Sequence, residues 1–538
     1  MLHTVNQRPS DTYYKDDSID NATNLQKIWR PIWVPDHQED CCLNCKSQFN
    51  TLLRRHHCRG CGNLFCNNCT SKRQSLPQLH YNKPVRICNR CSDLTNFSKL
   101  STSPDIKNRE EAAKGFLNLT CDSLGKKMII RGFLNPLGNL FTNGNPTLYK
   151  HLTKAISNLA ENDIVRIDIL EANFLTLLVN YLLESFKKYP NLKQQNKNIN
   201  SSNGGNSSSR NNNSNNNNNN NNIGSTGASG VNSEHNNCSN SNNNSNGNEE
   251  DFNNDQFIIH DDDFESFLNV CLCFQYLSCE ENILVKTQLA DRCLPILIKM
   301  SRSYNVQIKH SSSIVLLNLV KNPLSRDLVV QGGGIGSLIA IAINDDAKLQ
   351  ETSAHALSIL SAQSKYQRKV VECGALPPLV LMLNSNSSSD NILQYTTSSL
   401  SLLAENQDNQ IAIVQVGGIN PLKNILIYKN EHTMQISYNA ALTLYHLSTN
   451  KNLILQLAQH DLVELLTKII ISNYNNPSYD LLLLCVKIIG NLSFEKEIKV
   501  LIRKNQSMMN ILRIMVHSTN RIQQWAQIIF NNCETGQN

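Results

Sequence analysis

The sequence has few features of a membrane protein, a secreted protein or an enzyme. No run of 18 apolar residues occurs among its 538 residues, so we expect no membrane-spanning helix. The opening stretch MLHTVNQRPSDTYYKDD has no apolar core, so we expect no secretory signal. No carboxylate pair, no nucleophile beside a base and no heptad repeat stands out. We therefore expect a soluble, non-enzymatic chain, and its length predicts two or more folded units.

Cysteine is concentrated in one short segment. Nine of the 18 cysteines lie between Cys41 and Cys91, which in a chain without a secretory signal indicates metal ligands and not disulfides. Eight of the nine form the Cys-x-x-Cys pairs Cys42/Cys45, Cys58/Cys61, Cys66/Cys69 and Cys88/Cys91. Eight thiolates suit two closed, tetrahedral zinc sites that stabilise structure and leave no open position for catalysis. The short link between the second and third pairs favours an interleaved arrangement, and Cys41 falls outside the spacing.

Basic residues surround two of these cysteine pairs. The stretch RRHHCRGCGNLFC, residues 54–66, contains three arginines and two histidines, and a fourth arginine lies two residues before Cys88. Residues 33–94 contain nine Lys/Arg and four Asp/Glu, a net charge of +5 against +6 for the whole chain. Guanidinium groups bind phosphate oxygens through two parallel hydrogen bonds. The zinc sites are therefore expected to gather these four arginines around a phosphate.

Three motifs make this segment resemble the FYVE zinc finger family. They are WVPD at residues 33–36, RRHHCRGCG at residues 54–62 and RIC at residues 86–88. The resemblance implies that residues 29–96 form a module of small antiparallel hairpins and a C-terminal helix, which binds phosphatidylinositol 3-phosphate. It also implies two structural zinc ions with interleaved ligands. One ion is expected on Cys42, Cys45, Cys66 and Cys69, and the other on Cys58, Cys61, Cys88 and Cys91.

The resemblance also assigns a lipid-binding set of side chains. The set is Trp33, Asp36, Arg54, Arg55, His56, His57, Arg59 and Arg86. Arg54 is expected to lie toward the phosphate that links the inositol ring to glycerol, and the other three arginines should face the 3-phosphate. The two histidines and the aspartate should recognise ring hydroxyls and the edge of the phosphate. Beside a phosphate, the histidines are expected to have raised pKa values.

Two leucines precede the basic block directly. Leu52 and Leu53 are expected to insert into the bilayer, as the corresponding loop does in the family, with a position in the core as the alternative. The family implies a cytoplasmic protein that is peripheral on early endosome membranes.

An apolar segment ending in Asn-Leu, or a close variant, recurs after residue 105. Its marker positions are Asn118, Asn158, Tyr276, Asn318, Ile359, Leu402, His446, Asn491 and Asn531. From Tyr276 onward successive markers lie 42, 41, 43, 44, 45 and 40 residues apart. Turns such as GFLNPL and GALPPL follow most markers, as expected where one helix ends and another begins. A repeat of this length with helical apolar spacing predicts a helical solenoid.

These segments resemble armadillo repeats over residues 105–190 and 260–535, with HEAT repeats as the alternative. The resemblance implies three-helix units whose third helices line a concave face. We therefore expect a mostly α-helical fold, an armadillo-type solenoid with the small two-zinc finger at its N-terminal end. Residues 1–28 are predicted to be disordered. So is the segment 191–256, whose Asn/Ser composition cannot form a core and which falls about where the second repeat gives way to the third.

The third helices predict where a protein partner binds. The expected groove residues are Asn118, Asn158, Asn318, Asn491 and Asn531, with Lys114, Lys154 and Lys487. A spacing of four residues puts each lysine on the same helix face as its asparagine. Import receptors of the importin alpha type have tryptophan at those positions, so the lysines favour an acidic, partly extended partner segment. No nucleic-acid partner is expected.

The combined features predict an adaptor in membrane trafficking. The finger would bind phosphatidylinositol 3-phosphate and the repeats would hold a protein partner on that membrane. One alternative is a RING-like ubiquitin ligase, although RING fingers usually include a histidine ligand and these four pairs do not. The other is an armadillo-type transport receptor.

Overall fold

The computed structural model describes residues 13–14, 30–31, 33–130, 132–188, 261–279, 281, 283–384, 389–427, 434–459, 461–474, 479–518 and 521–534. Strand β1 (Tyr13–Tyr14) pairs in antiparallel fashion with β2 (Arg30–Pro31). Strand β1 belongs to the segment predicted to be disordered. The rest of that segment and the whole predicted insert 191–256 lie outside the described residues.

The finger consists of two short antiparallel hairpins and a helix. The strands are β3 (His56–His57), β4 (Leu64–Phe65), β5 (Arg73–Leu76) and β6 (Tyr81–Arg86), which pair as β3–β4 and β5–β6. Helix α1 (Asn89–Leu100) follows β6 directly. The finger buries few apolar side chains besides cysteine, chiefly Leu64, Phe65, Leu76, Ile87 and Leu94. A core of this size is too small to stabilise a domain of about 60 to 70 residues by itself, so metal ions are needed.

The remaining described chain is helical. Up to residue 331 the helices are α2 (Ile106–Leu119), α3 (Ser123–Ile130), α4 (Leu134–Asn139), α5 (Pro146–Ala160), α6 (Arg166–Glu171), α7 (Phe174–Lys188), α8 (Asp261–Ser278), α9 (Ile283–Ser301), α10 (Val306–Lys321) and α11 (Pro323–Gln331). They continue as α12 (Gly334–Ala342), α13 (Ala347–Ser361), α14 (Ser364–Glu372), α15 (Leu376–Asn384), α16 (Asp390–Leu403), α17 (Gln407–Gln415), α18 (Ile419–Ile427) and α19 (Met434–Ser448). The last are α20 (Ile454–Ala458), α21 (Leu462–Asn473), α22 (Tyr479–Leu492), α23 (Lys496–Lys504), α24 (Gln506–Val516) and α25 (Arg521–Glu534).

The helices recur in groups of three. From α11 onward each group has two shorter helices and then a long one of 14 or 15 residues. Every marker position predicted from the sequence lies near the C-terminal end of such a third helix. Because HEAT units consist of two helices, this order favours the armadillo type.

Residues with a left-handed backbone separate the first and second helices of several groups. Gly333, Gly374 and Gly417 have φ angles of 84°, 87° and 79° and lie just before α12, α15 and α18. Glycine adopts this conformation without steric cost. Asn173 and Asp461 take the same place before α7 and α21, with φ angles of 61° and 53°. The turn is therefore kept in repeats where the glycine motif is absent from the sequence.

The connection between α7 and α8 falls within one repeat. Helix α8 packs against α5, the third helix of the repeat before it. Helices α6, α7 and α8 are consequently the three helices of a single repeat, and residues 189–260 connect the second helix to the third. The sequence suggests instead a position between two repeats. The correction follows from the packing of α8, which the marker spacing alone does not reveal.

The finger joins the first repeat through packed side chains. Helix α1 carries Phe97, which lies over Gly115 of α2 and contacts the ring of Phe116 at a centroid distance of 5.9 Å. The Arg90 guanidinium donates hydrogen bonds to both carboxylate oxygens of Asp122, each at 2.7 Å. Hydrogen bonds from Arg90 and from the Gly125 amide lower the pKa of Asp122 despite its partial burial. The last helix of the finger is thus also part of the helical packing that follows.

The chain divides into two compact units. The first contains the finger and α1–α11, without residues 301–304, and the second contains α12–α25. Among the described residues, no single helix has the length and apolar composition needed to cross a membrane. The pair Asp163–Glu171 and Phe174–Lys188 meets those criteria only when taken together, and it bends by 73°.

Candidate functional site

The eight paired cysteines form two separate clusters. The sulfur atoms of Cys42, Cys45, Cys66 and Cys69 lie within 4.8 Å of one another, as do those of Cys58, Cys61, Cys88 and Cys91. The first and third pairs therefore combine, and so do the second and fourth, which is the interleaved arrangement. Cys41 belongs to neither cluster and instead pairs through its backbone with Gln48.

The geometry of both clusters fits zinc. A tetrahedral zinc ion with Zn–S bonds of about 2.3 Å needs sulfur atoms about 3.8 Å apart. The sulfurs of Cys45 and Cys66 are 3.8 Å apart. The pKa of Cys58 lies well below the usual thiol value because Cys61, Cys88 and Cys91 all hydrogen-bond to its sulfur. A group of thiols that favours a thiolate is suited to binding a cation, and zinc would hold the two hairpins and α1 together.

Backbone hydrogen bonds bring the separate basic segments together. The Arg59 amide donates to the Arg86 carbonyl at 3.0 Å, and the Val34 amide donates to the Gly62 carbonyl at 3.0 Å. Gly62 has a φ angle of 75°, which lets the chain turn tightly between β3 and β4. Three segments far apart in sequence, around residues 34, 59 and 86, therefore line one face of the finger.

Trp33, His57 and Arg59 form a stack on this face. The rings of Trp33 and His57 lie 4.6 Å apart with an interplanar angle of 19°. The guanidinium carbon of Arg59 lies 4.7 Å from the centroid of the Trp33 ring, and its Nη1 donates to the His57 carbonyl at 2.7 Å. The second histidine nitrogen, Nε2, lies 2.8 Å from the Val34 carbonyl and 3.6 Å from the Asp36 carboxylate. These contacts hold Arg59 and His57 in fixed positions.

His56 lies in the positive field of three arginines. Partial burial and the charges of Arg86, Arg54 and Arg59, in that order, lower the pKa of His56 below 6.5. The expectation of a raised pKa is therefore wrong for the protein without a ligand, because nearby cations disfavour the charged imidazole. The same shift indicates that these three guanidiniums converge on His56, as the sequence predicted.

Arg55 is engaged on a different side. Its Nε donates to the Glu39 carbonyl at 3.2 Å, its Nη2 lies 3.6 Å from the Asp40 carboxylate, and its guanidinium carbon lies 5.0 Å from the centroid of the Phe49 ring. The side chain thus contacts the segment before β3, and its field is absent from the causes of the His56 shift. The structure brings three of the four predicted arginines around His56.

The two leucines differ in exposure. Leu52 is 94% exposed at the tip of a loop, whereas Leu53 is half-buried. The Asn50 side chain accepts hydrogen bonds from the amides of both leucines, at 2.9 and 2.8 Å, and this Asx turn fixes the loop. A core position is therefore excluded for Leu52. One large apolar side chain points into solvent beside the arginines.

The predicted groove asparagines bind neighbouring repeats. The Nδ2 atoms of Asn158, Asn318 and Asn491 donate to hydroxyls of the preceding third helices, which are those of Thr120, Ser278 and Ser448 at 3.1, 2.9 and 2.9 Å. In the last repeat Asn532, and not the predicted Asn531, donates to Ser493, at 2.9 Å. Asn531 instead accepts a hydrogen bond from Gln527 of its own helix. Much of the hydrogen-bonding capacity assigned to a partner is used between repeats.

The predicted lysines fall into two classes. Lys114 and Lys154 are exposed on α2 and α5 of the first unit, and Asn118 is exposed beside Lys114. Lys487 is half-buried on α22, with its ammonium 5.3 Å from the centroid of the Tyr445 ring. The spacing of four residues is the same for all three lysines, so only packing distinguishes them.

Sequence reasoning missed two residues that hold Arg86. Its Nη1 donates to the Asn67 side-chain oxygen at 2.8 Å and to the main-chain oxygen of Thr70 at 3.3 Å. Both residues lie beside Cys66 and Cys69, where attention to the ligands hides them. Asn67 begins a 3₁₀ helix without capping it, and that unusual use of an asparagine is visible only in three dimensions.

Comparisons with known proteins agree with these observations. Residues 32–96 match the family model of the FYVE zinc finger, and residues 330–475 match that of the H component of the V-ATPase. The chain is 48% identical over 73 residues to the lateral signaling target protein 2 homolog of Brugia malayi, covering 14% of this chain and 12% of that protein. It is 41% identical over 69 residues to zinc finger FYVE domain-containing protein 1 of Pongo abelii, covering 13% and 9%. The chain therefore spans about a tenth of the length of these relatives.

Solved structures with similar folds include an engineered protein and a designed armadillo repeat protein. The first has a TM-score of 0.45 and 16% identity, covering 82% of this chain and 98% of that chain. The second has a TM-score of 0.38 and 18% identity, covering 45% and 99%. Both scores are low, and the repeat architecture is established by the helix order. Residues 32–96 of this protein are a FYVE zinc finger with two structural zinc sites, and the helices that follow are armadillo-type repeats.

Proposed function

We propose that this protein is a non-enzymatic adaptor that binds phosphatidylinositol 3-phosphate through its finger and a protein partner through its repeats. The observation that carries the lipid proposal is the convergence of Arg54, Arg59 and Arg86 on His56, next to the exposed Leu52. Guanidiniums recognise phosphate, and an exposed leucine beside them suits the boundary between headgroups and acyl chains. Early endosome membranes are the proposed location.

The two parts of the site contribute different kinds of binding energy. Each charge-assisted hydrogen bond to the phosphate would contribute about 1.5–3 kcal/mol and depends on the headgroup. Burial of Leu52 in the bilayer would contribute up to about 3 kcal/mol and requires a membrane. Because a single weak anchor gives only marginal membrane attachment, the two contributions together make binding selective for membranes that carry the lipid.

Substitution of Arg59 and of Leu52 should separate these contributions. Arg59→Ala is expected to weaken binding both to the soluble headgroup and to liposomes containing the lipid, about ten- to a hundred-fold, because it removes a phosphate contact. Leu52→Ala is expected to weaken liposome binding and to leave headgroup binding unchanged, because its side chain is already in water without a membrane. Calorimetry with the headgroup and liposome sedimentation measure the two quantities.

Lys83→Ala is the matched control, because it removes one exposed positive charge from β6 away from His56. It should change liposome binding little. If Arg59→Ala binds the headgroup as tightly as the wild type, the proposed phosphate site is wrong. If Leu52→Ala loses headgroup binding, its role is structural.

For the repeats we propose an acidic, partly extended partner segment. The exposed Lys114 and Lys154 of the first unit support the acidic character. In the second unit, a separate groove of about 360 Å³ is lined by α13, α16 and α19, where the rings of His355 and Tyr395 stack 4.2 Å apart. All ten side chains that line this groove are uncharged or histidine, so contacts there would be less dependent on salt.

Reversing the charge at the exposed lysines tests the partner proposal. The double variant Lys114→Glu with Lys154→Glu is expected to lose binding of a labelled Glu/Asp-rich peptide, since attraction becomes repulsion. Binding to the wild type should weaken as salt is added. Lys127→Glu, an exposed change on α3, should have little effect. Equal peptide binding by the double variant and the wild type would mean that this face does not select acidic segments.

A further inference from the structure

We infer that Asn67 is a positioning residue that orients Arg86 for phosphate recognition, an inference that rests on the proposed lipid-binding function. Asn67 lies between two zinc ligands, Cys66 and Cys69, and no family motif quoted above includes it. Its side-chain oxygen accepts from Arg86 Nη1 at 2.8 Å, the shortest of the three hydrogen bonds that hold this guanidinium. The contact joins positions 19 residues apart in sequence.

The side chain of Asn67 is not used for the local role that its position favours. Asn67 precedes the 3₁₀ helix Asn68–Thr70, where asparagine commonly caps the helix by accepting from a backbone amide. No such hydrogen bond forms here, and the residue has helical backbone angles of φ −55° and ψ −42°. The side chain is exposed and extends to Arg86. Its position is therefore explained by the arginine and not by the helix.

Thr70 completes the support for Arg86. It is fully buried, and its Oγ1 donates to the Cys66 carbonyl at 2.9 Å, which fixes the hydroxyl. Arg86 Nη1 approaches the main-chain oxygen of Thr70 at 3.3 Å and its Oγ1 at 3.5 Å. The guanidinium thus rests on a rigid segment held by the first zinc cluster, while its own backbone continues to the ligand Cys88 of the second.

The support uses one nitrogen of the guanidinium and leaves its other edge free. Arginine has five N–H donors, two of them on Nη1. Within residues 33–130, no further side-chain hydrogen bond of Arg86 is found beyond those of Nη1. The edge formed by Nε and Nη2 can therefore bind two phosphate oxygens. Because bidentate binding needs a fixed plane, loss of the Asn67 contact should weaken the recognition of phosphate.

The test measures binding of the soluble phosphatidylinositol 3-phosphate headgroup by the full chain. Asn67→Ala is expected to bind about 3- to 10-fold more weakly, the loss of one orienting hydrogen bond. Asn67→Asp keeps the acceptor but pairs a carboxylate with Arg86, and it should bind at least about tenfold more weakly because that charge competes with the phosphate. Zinc content and melting temperature should stay at their wild-type values in both variants.

Asn68→Ala is the control, since it changes the same residue type one position further along, where the side chain is also exposed. It should bind the headgroup like the wild type. The inference is overturned if Asn67→Ala binds like the wild type, if both alanine variants lose affinity equally, or if Asn67→Asp binds as tightly as the wild type. If the wild type itself does not bind the headgroup, the proposed function fails and not the positioning role.

Discussion

Removal of zinc is expected to unfold the finger and to abolish membrane binding. The finger buries few apolar side chains apart from its cysteines, so its fold depends on the metal. Structural zinc contributes on the order of 10 kcal/mol or more to the folding of such modules. Cys58→Ser should lose about one zinc ion per chain, together with binding to liposomes that contain phosphatidylinositol 3-phosphate. Metal analysis and liposome sedimentation measure the two losses.

Cys41→Ser provides a matched control for this experiment. Cys41 adjoins the ligand Cys42 but belongs to neither cluster. Its substitution should leave two zinc ions and full lipid binding. A finger that kept its lipid binding after complete removal of zinc by a chelator would contradict the structural role of the metal.

Gly115→Val is expected to break the joint between the finger and the first repeat. A Cβ atom at this position would lie 2.3 Å from Cζ of Phe97 and 2.5 Å from two other atoms of the ring. Overpacking of a core contact typically costs about 1–3 kcal/mol, and a rigid ring leaves little room to relax. The free energy of unfolding of this unit should fall, and the link between α1 and α2 should become sensitive to protease while two zinc ions remain bound.

Two further variants make this prediction specific. Adding Phe97→Ala to Gly115→Val should recover part of the lost stability, because it removes the clashing ring, and a double-mutant cycle measures that coupling. Gly336→Ala introduces a Cβ into helix α12 where nothing lies within 4 Å. It should be neutral or stabilising by up to about 1 kcal/mol, as expected for glycine in a helix. No loss of stability in Gly115→Val would show that α1 is only loosely attached.

Much of the metal site could be predicted from the sequence. Four Cys-x-x-Cys pairs define eight ligands because thiolates at this spacing have few other uses. The interleaved pairing was favoured by the short link between the second and third pairs. The repeats were equally accessible, since an apolar pattern with a period of about 42 residues survives large changes in individual side chains.

The orientation of the charged side chains could not be predicted. Arg54, Arg55 and Arg59 belong to one short motif, yet Arg55 contacts Asp40 and Phe49 while the other two act on His56. The lowered pKa of His56 has the same origin, because it depends on which cations lie nearby in space.

The repeats show the same limit at the level of single residues. The sequence located the third helices, but it did not reveal that Asn158, Asn318 and Asn491 bond the hydroxyl of the preceding repeat. It also placed the insert between two repeats, whereas α8 packs on α5 and completes the repeat begun by α6 and α7.

The sequence by itself determined which residues bind metal, where the helices repeat and which segment carries the positive charge. These properties depend on residue type and spacing along the chain, which local chemistry specifies. Only the tertiary structure decided that Asn67 supports Arg86, that Leu52 is exposed while Leu53 is half-buried, and that Phe97 joins the finger to the first repeat. Each of these contacts or exposures depends on how distant segments pack, and no local pattern encodes that packing.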